Sequence, residues 1–188
     1  DTSVESAISE QVLHPDKKVH LFDETVDKYI GEITPEKEEA ATEFTDEFPY
    51  LISAGRHADE AGVNTIMRNP DTYRYRQPYT FMLNPDDAAE MGFEDGQWVR
   101  VTTETGSIKV PVECSYRAAR GYGIITHHFG LSNEEGRAYG DTVNKLTSAE
   151  NVDEIAGDAI YRYVPCRVDA LERGEECSLW NDVGRIDA

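Results

Sequence analysis

The residue types that most often hold metal ions are present, but they are not spaced as ligands. His127 and His128 are adjacent, and neighbouring residues of a strand face opposite sides, so they cannot chelate one ion together. The remaining histidines (His14, His20 and His57) show no ligand spacing, and the three cysteines form no Cys-x-x-Cys pair. We therefore expect no metal ligand and no catalytic residue within this sequence.

A stretch in the first half of the chain carries groups suited to phosphate or to a heteroaromatic ring. Gly55 ends an apolar run and admits close backbone approach, and Arg56 offers a planar fork to phosphate or carbonyl oxygens. Asn64 and Thr65 can donate and accept hydrogen bonds at a ring edge, and Arg68 can reach a phosphate. An ordinary turn glycine and a solvated loop explain the same residues, so both interpretations stay open.

The segment from Asn84 to Gly92 predicts a short helix with both caps. Asn84 is a favourable N-cap, Pro85 suits the first helical position, and Gly92 supplies a left-handed stop. Asp86 and Asp87 fall at the positive end of the helix dipole. Capping alone accounts for these residues, although one carboxylate can cap while the other faces a ligand.

Composition excludes several classes of protein. The chain has 188 residues with 18 Lys and Arg against 37 Asp and Glu, a net charge of −19, which excludes ordinary nucleic-acid binding. No apolar run approaches the roughly 20 residues that a membrane span needs. No leader peptide is visible, so we expect a cytoplasmic protein, with export of a longer precursor left open.

Short apolar or alternating runs predict a small β domain. They cover residues 50–54, 79–83, 98–103, 107–112, 123–126, 159–164 and 166–168. Helical patterns are short and lie at 36–44, at the capped segment above and near Leu171, while 19–22 resembles a short strand. We expect a lead-in segment over 1–47, a barrel over 48–170 and an acidic tail over 171–188.

Several short motifs, taken in order, resemble one family. They are Leu51-Ile52-Ser53-Ala54-Gly55-Arg56, Asn64-Thr65, Asn84-Pro85-Asp86-Asp87-Ala88, Gly92-Phe93-Glu94-Asp95-Gly96, Gly106, Asn144-Lys145-Leu146-Thr147 and Cys166-Arg167-Val168. From about Phe48 to Val168 the chain resembles the C-terminal molybdopterin-dinucleotide-binding domain of the dimethyl sulfoxide reductase family, which includes formate dehydrogenases and periplasmic nitrate reductases. No single motif is specific, but the ordered set is.

The resemblance implies a mainly β fold, a double-psi β-barrel of the aspartate decarboxylase type with short corner helices. It also implies a bis(molybdopterin guanine dinucleotide) cofactor that carries molybdenum or tungsten. In that family the rest of the large subunit supplies the metal ligand and the other half of the cofactor cradle. The expected partners are therefore the remaining domains of the same large subunit and an iron–sulfur electron-transfer subunit.

The same resemblance implies which residues contact the cofactor. Gly55, Arg56 and the loop with Asn64, Thr65 and Arg68 would approach the pterin and phosphates. A carboxylate of Asp86 or Asp87, or the Asn84 amide, would bind guanine, with Asp87 or Asn84 preferred. His128 would lie near the pterin, and Asn144 would contact it. Relatives often carry a Lys two residues before the last-strand Cys; here that position is Val164, so Arg162 is the substitute candidate.

The implied function is that of a cofactor domain in a two-electron oxidoreductase, with formate oxidation and nitrate reduction both compatible. The domain would not be catalytic alone. Two alternatives use the same barrel: a protein-interaction module with an acidic surface, and a decarboxylase-like enzyme that cleaves itself at Gly106-Ser107. A glycine is common in a hairpin turn, so Gly106 is explained by the turn and does not indicate self-cleavage.

Overall fold

The computed structural model describes Val12 and residues 14–55, 77–153, 157–175 and 177–182. By its internal contacts the chain divides into two units, Asp1–Glu39 and Ala40–Ala188. Helix α1 (Glu24–Gly31) lies in the first unit, and α2 (Pro35–Ala41) crosses the boundary between the two. The helix expected over 36–44 is thus present but shorter, α1 was not expected, and residues 19–22 form no strand.

The second unit is built on a closed six-stranded barrel. Its strands are β1 (Tyr50–Gly55), β2 (Phe81–Leu83), β3 (Trp98–Thr102), β4 (Ser107–Cys114), β5 (Tyr122–Thr126) and β7 (Val164–Ala170). They follow the order β1-β5-β2-β4-β3-β7 around the barrel. The pairs β1–β5 and β2–β4 are parallel, and the others are antiparallel. The predicted fold class, a mainly β double-psi barrel, is confirmed.

Alternation along the strands fills the barrel interior. In β3, Val99 and Val101 are fully buried while their neighbours are partly exposed, as the period-two pattern predicts. Ile52, Phe81 and Ile125, each at most 1% exposed, meet these valines in one core cluster. Leu51 pairs with Tyr122 and Gly55 pairs with Thr126, so β1 and β5 end at the same edge of the barrel.

The predicted capped helix is present as α3 (Pro85–Met91). The Asn84 side chain accepts a hydrogen bond from the Asp86 N–H at 3.0 Å. Gly92 ends the helix in the left-handed conformation, with φ of 75°. Since α3 follows β2, which runs antiparallel to β5, the helix begins near the start of β5.

The segment after β7 folds back onto the barrel. No helix forms at Leu171; strand β8 (Trp180–Asp182) instead pairs with β6 (Arg137–Tyr139). The Asn181 amide donates to the Gly140 carbonyl at 3.2 Å. These contacts tie the end of the described chain to the loop that follows β5. The limits proposed above for the three parts of the chain stay a prediction.

Candidate functional site

A cavity of about 550 Å³ opens where β1 and β5 end. Its lining consists of Ala54, Gly55, His127, His128, Phe129, Leu131, Thr142, Val143, Asn144, Tyr161 and Arg162. Although the chain carries 37 Asp and Glu residues, none is among these described lining residues. The cavity instead presents a guanidinium, two imidazoles and an amide, so it is suited to an anionic or hydrogen-bonding ligand.

The parallel register of β1 and β5 brings Gly55 to the first histidine. Gly55 pairs with Thr126, and the next residue, His127, donates its N–H to the Gly55 carbonyl at 3.2 Å. A Cβ at position 55 would collide with the Ile124 side chain. Packing of the barrel is therefore sufficient to require this glycine, whether or not a ligand approaches it.

Both histidines face the cavity, contrary to the expectation that adjacent residues face opposite sides. The strand ends at Thr126, and His128 takes the left-handed conformation with φ of 71°, which is uncommon outside glycine. The two rings meet edge to face with centroids 4.4 Å apart. Strand alternation does not apply here because the chain has already turned out of the sheet.

Asn144 reaches the cavity from a short 3-10 helix (Val143–Leu146). The Thr142 hydroxyl caps this helix by accepting the Asn144 N–H at 3.3 Å. Val143 and Leu146 are buried in the core, at 6% and 0% exposure, which leaves Asn144 on the outer side of the turn. The Asn-Lys-Leu-Thr motif thus places its first residue at the cavity.

Arg162 is brought in by the segment that precedes β7. The Ala54 N–H donates to the Tyr161 carbonyl at 3.0 Å, which fixes this segment beside β1. Tyr163 then takes a positive φ of 57°, where the chain turns into β7. Val164, at the position where relatives often carry Lys, lines a separate surface depression rather than this cavity.

The remaining described candidates lie at the opposite end of β5. Asp87 is 1% exposed; its carboxylate accepts the Gly121 N–H at 2.7 Å and lies 2.5 Å from Arg120 Nε. The Asn84 amide donates to the Ala118 carbonyl at 3.0 Å. His127 follows Gly121 by six positions, which corresponds to about 20 Å along an extended strand. Asp87 and Asn84 therefore stabilise the local fold at a corner that is remote from the cavity.

Asp86 differs from its neighbour Asp87. Its side chain is 59% exposed, and the ion pair that it makes within the described ranges is a long one, 3.9 Å from Arg120. Besides Asp87, Arg120 is held by Glu90, which receives two hydrogen bonds of 2.7 Å and raises the pKa of the guanidinium. Of the three candidates at this corner, Asp86 has the carboxylate most open to a ligand.

The structure brings together Gly55, His128, Asn144 and Arg162 in the cavity, and Asn84, Asp86 and Asp87 at the corner. Arg56, Asn64, Thr65 and Arg68 lie outside the described residues. Sequence reasoning missed His127, Thr142 and Tyr161 as lining residues. The Thr-x-Asn spacing of a cap was a readable signal for Thr142, whereas only the fold reveals Tyr161.

Two further observations limit what the described ranges contain. Within them, no three His, Cys, Asp or Glu side chains form a group that could hold a metal ion. No helix in the described part of the chain is long and apolar enough to cross a membrane.

Known proteins resemble this chain in sequence and in fold. The family model of the molydopterin dinucleotide binding domain matches residues 50–165, more than half of the chain. The F420-dependent formate dehydrogenase 2 subunit alpha of Methanococcus maripaludis is 25% identical over 122 residues, covering 64% of this chain and 17% of that subunit. Acetylene hydratase from Pelobacter acetylenicus has a similar fold, with a TM-score of 0.57 at 18% identity over 84% of this chain and 24% of that one.

The match to the family model begins at the first barrel strand and ends within the last one. It therefore includes the cavity residues from Gly55 to Arg162 and the α3 corner. The chain spans less than a quarter of either known protein that it resembles. The chain therefore belongs to the family of molydopterin dinucleotide binding domains.

Proposed function

We propose that the chain binds a bis(molybdopterin guanine dinucleotide) cofactor, with its pterin end at the cavity and a guanine at the α3 corner. The observation that carries this proposal is the absence of carboxylates from the described cavity lining of a chain with a net charge of −19. A dinucleotide is anionic, and unit charges 4 Å apart interact by about 4 kcal/mol near a protein surface. The part of the site near its phosphates must therefore be kept free of carboxylates, whereas the uncharged guanine base can donate to one.

The donors in the cavity fit the groups of this cofactor. The Asn144 amide carries two donors and an acceptor, which suits the pyrimidinone edge of a pterin. Arg162 offers a fork for phosphate or carbonyl oxygens, and each histidine ring can donate to an anion. A volume of about 550 Å³ is ample for a bicyclic ring and its substituents.

The two ends of β5 fit a long ligand better than a compact one. The cavity and the α3 corner are separated by about 20 Å along the strand, and a dinucleotide is an extended molecule. At the corner we favour Asp86 for the guanine, since a carboxylate can accept both N1–H and N2–H of that base. Asp87 and Asn84, which the sequence favoured, would hold the corner in shape through Gly121 and Ala118.

The cofactor, when bound, supplies the two-electron redox chemistry through its molybdenum or tungsten ion. This chain would bind it, orient it and keep water from one side of it. The metal ligand would come from the remaining domains of the same large subunit, with an iron–sulfur subunit as electron partner. The relative named as a formate dehydrogenase subunit supports an enzyme of that type. We also propose that the protein is cytoplasmic.

The test compares cofactor retention in cavity variants of the native protein that contains this chain. Asn144→Ala and Arg162→Gln remove donors at the cavity, and Arg173→Gln, exposed in the turn after β7, is the matched control. We expect lower molybdenum or tungsten and guanosine monophosphate content in the two cavity variants and unchanged content in the control. Equal content in all variants would contradict the proposal and favour a barrel used as a protein-interaction module.

A further inference from the structure

The hairpin between β3 and β4 contacts the 3-10 helix that carries Asn144. Thr103, 4% exposed, lies at the start of the hairpin tip, where its N–H donates to the Gly106 carbonyl at 2.9 Å. Its hydroxyl accepts the Thr105 N–H at 3.2 Å and donates to the Leu146 carbonyl at 3.0 Å. One buried side chain therefore joins the tip of the hairpin to the last residue of the helix.

Gly106 makes the second contact between the hairpin and the helix. A Cβ on this residue would lie 2.6 Å from the Lys145 carbonyl oxygen, and its φ is not in the left-handed region. The glycine is thus required by close approach to the helix and not by the turn itself, which corrects the interpretation drawn from sequence. Any larger residue would have to move the backbone that carries Asn144.

These contacts complete the restraint on a very short helix. Thr142 caps its first turn, and Val143 and Leu146 anchor it in the core. Its last carbonyl groups would otherwise lack intrahelical partners, since the final turn of any helix leaves carbonyls unpaired. The hydroxyl of Thr103 satisfies the carbonyl of Leu146, so the hairpin fixes the end of the helix as the cap fixes its start.

We propose that Thr103 and Gly106 are positioning residues, which hold Asn144 at the cavity through the 3-10 helix. This inference rests on the proposed function, because Asn144 is useful there only if the cavity binds the cofactor. Thr103 does not line the cavity but a separate surface depression, so its effect on the cavity passes through the 3-10 helix that carries Asn144. The buried hydroxyl of Thr103 is then one of the restraints that set the position of the Asn144 amide.

A double-mutant cycle separates positioning from stability. Thr103→Val removes the hydroxyl, Thr103→Ser keeps it, and Thr105→Val changes an exposed side chain of the same hairpin as a control. Each is made in the native protein that contains this chain, with Asn144 and with Asn144→Ala. The rate at which molybdenum or tungsten and guanosine monophosphate are lost from the purified protein is measured beside its melting temperature.

We expect Thr103→Val to speed cofactor loss about three- to tenfold, as the loss of one buried hydrogen bond implies. Thr103→Ser and Thr105→Val should retain the cofactor like the parent. With Asn144→Ala, the Thr103→Val change should add nothing to the rate of loss while lowering the melting temperature by the same amount as before. An equal acceleration in both backgrounds would overturn the proposal, because it would reflect stability alone.

Hydrogen exchange of the backbone amides of residues 143–147 provides a readout that needs no bound cofactor. We expect faster exchange there in Thr103→Val, and also in Gly106→Ala, which keeps the test open if the valine variant does not fold. Unchanged exchange would refute the positioning role. A parent protein that contains neither metal nor guanosine would refute the proposed function, and exchange would still report on the hairpin contact.

Discussion

Asp86 and Asp87 are adjacent in α3, but we expect Asp87 to stabilise the fold and Asp86 to bind the ligand, so replacing each should give opposite results for stability and for guanosine content. Asp87 is buried and accepts the Gly121 N–H, whereas Asp86 is 59% exposed and its ion pair with Arg120 is 3.9 Å long. Asp87→Ala removes a charge-assisted hydrogen bond and a carboxylate at a helix N-terminus, which together stabilise by about 2–4 kcal/mol. The ion pair of Asp87 with Arg120 adds little, since Arg120 is half exposed and keeps Glu90.

For a chain of this size each kcal/mol lowers the melting temperature by about 2–4 °C. We therefore expect Asp87→Ala to melt about 5–15 °C lower in a thermal unfolding experiment, and Asp86→Ala to melt within about 3 °C of the parent. Guanosine content is measured on the same samples, and only Asp86→Ala should lose it without a loss of stability. A large melting shift in Asp86→Ala, or none in Asp87→Ala, would refute the division of roles.

Three further predictions concern the scaffold. The Glu172 N–H, Arg100 and Lys109 lower the pKa of Glu175 to about 2. The stabilisation that Glu175 provides is therefore full above pH 4.5 and disappears as the pH falls towards 2, and Glu175→Gln should weaken this decrease of the melting temperature at acid pH. Gly123→Ala places a methyl group against the Phe81 ring and should cost about 1–3 kcal/mol in chemical denaturation, and a variant as stable as the parent would contradict the packing. Burial raises the pKa of Cys166 to about 12, so a thiol reagent should modify the exposed Cys177 at once and Cys166 only on unfolding; immediate labelling of both would be inconsistent with this core.

The fold was largely predictable because its signals are local. Alternation in β3 and β4 and the two caps of α3 are written in neighbouring residues, and the barrel needs little else to define its strands. The ordered motifs then distinguished a double-psi barrel from other small β domains. Strand β8 was not predicted because its three residues, which follow an acidic segment, are too few to show an alternating hydrophobic pattern.

The site was less predictable because its parts meet only through the barrel. Gly55, His128, Asn144 and Arg162 come from four separate segments, and two of these segments turn at residues with positive φ, His128 and Tyr163. Histidine is enriched among the non-glycine residues that adopt this conformation, but that enrichment does not identify which position adopts it, and tyrosine carries no such signal. The roles of Asp86 and Asp87 could not be assigned from sequence either, since either carboxylate can serve a helix start.

Whether this domain holds a guanine dinucleotide cofactor, as we propose, is best tested by analysing the composition of the protein. The native protein that contains the chain is purified anaerobically, its metals are determined by mass spectrometry, and its nucleotides are released by acid hydrolysis. We expect molybdenum or tungsten together with about two guanosine monophosphates per metal ion. A folded protein that contains neither would contradict it.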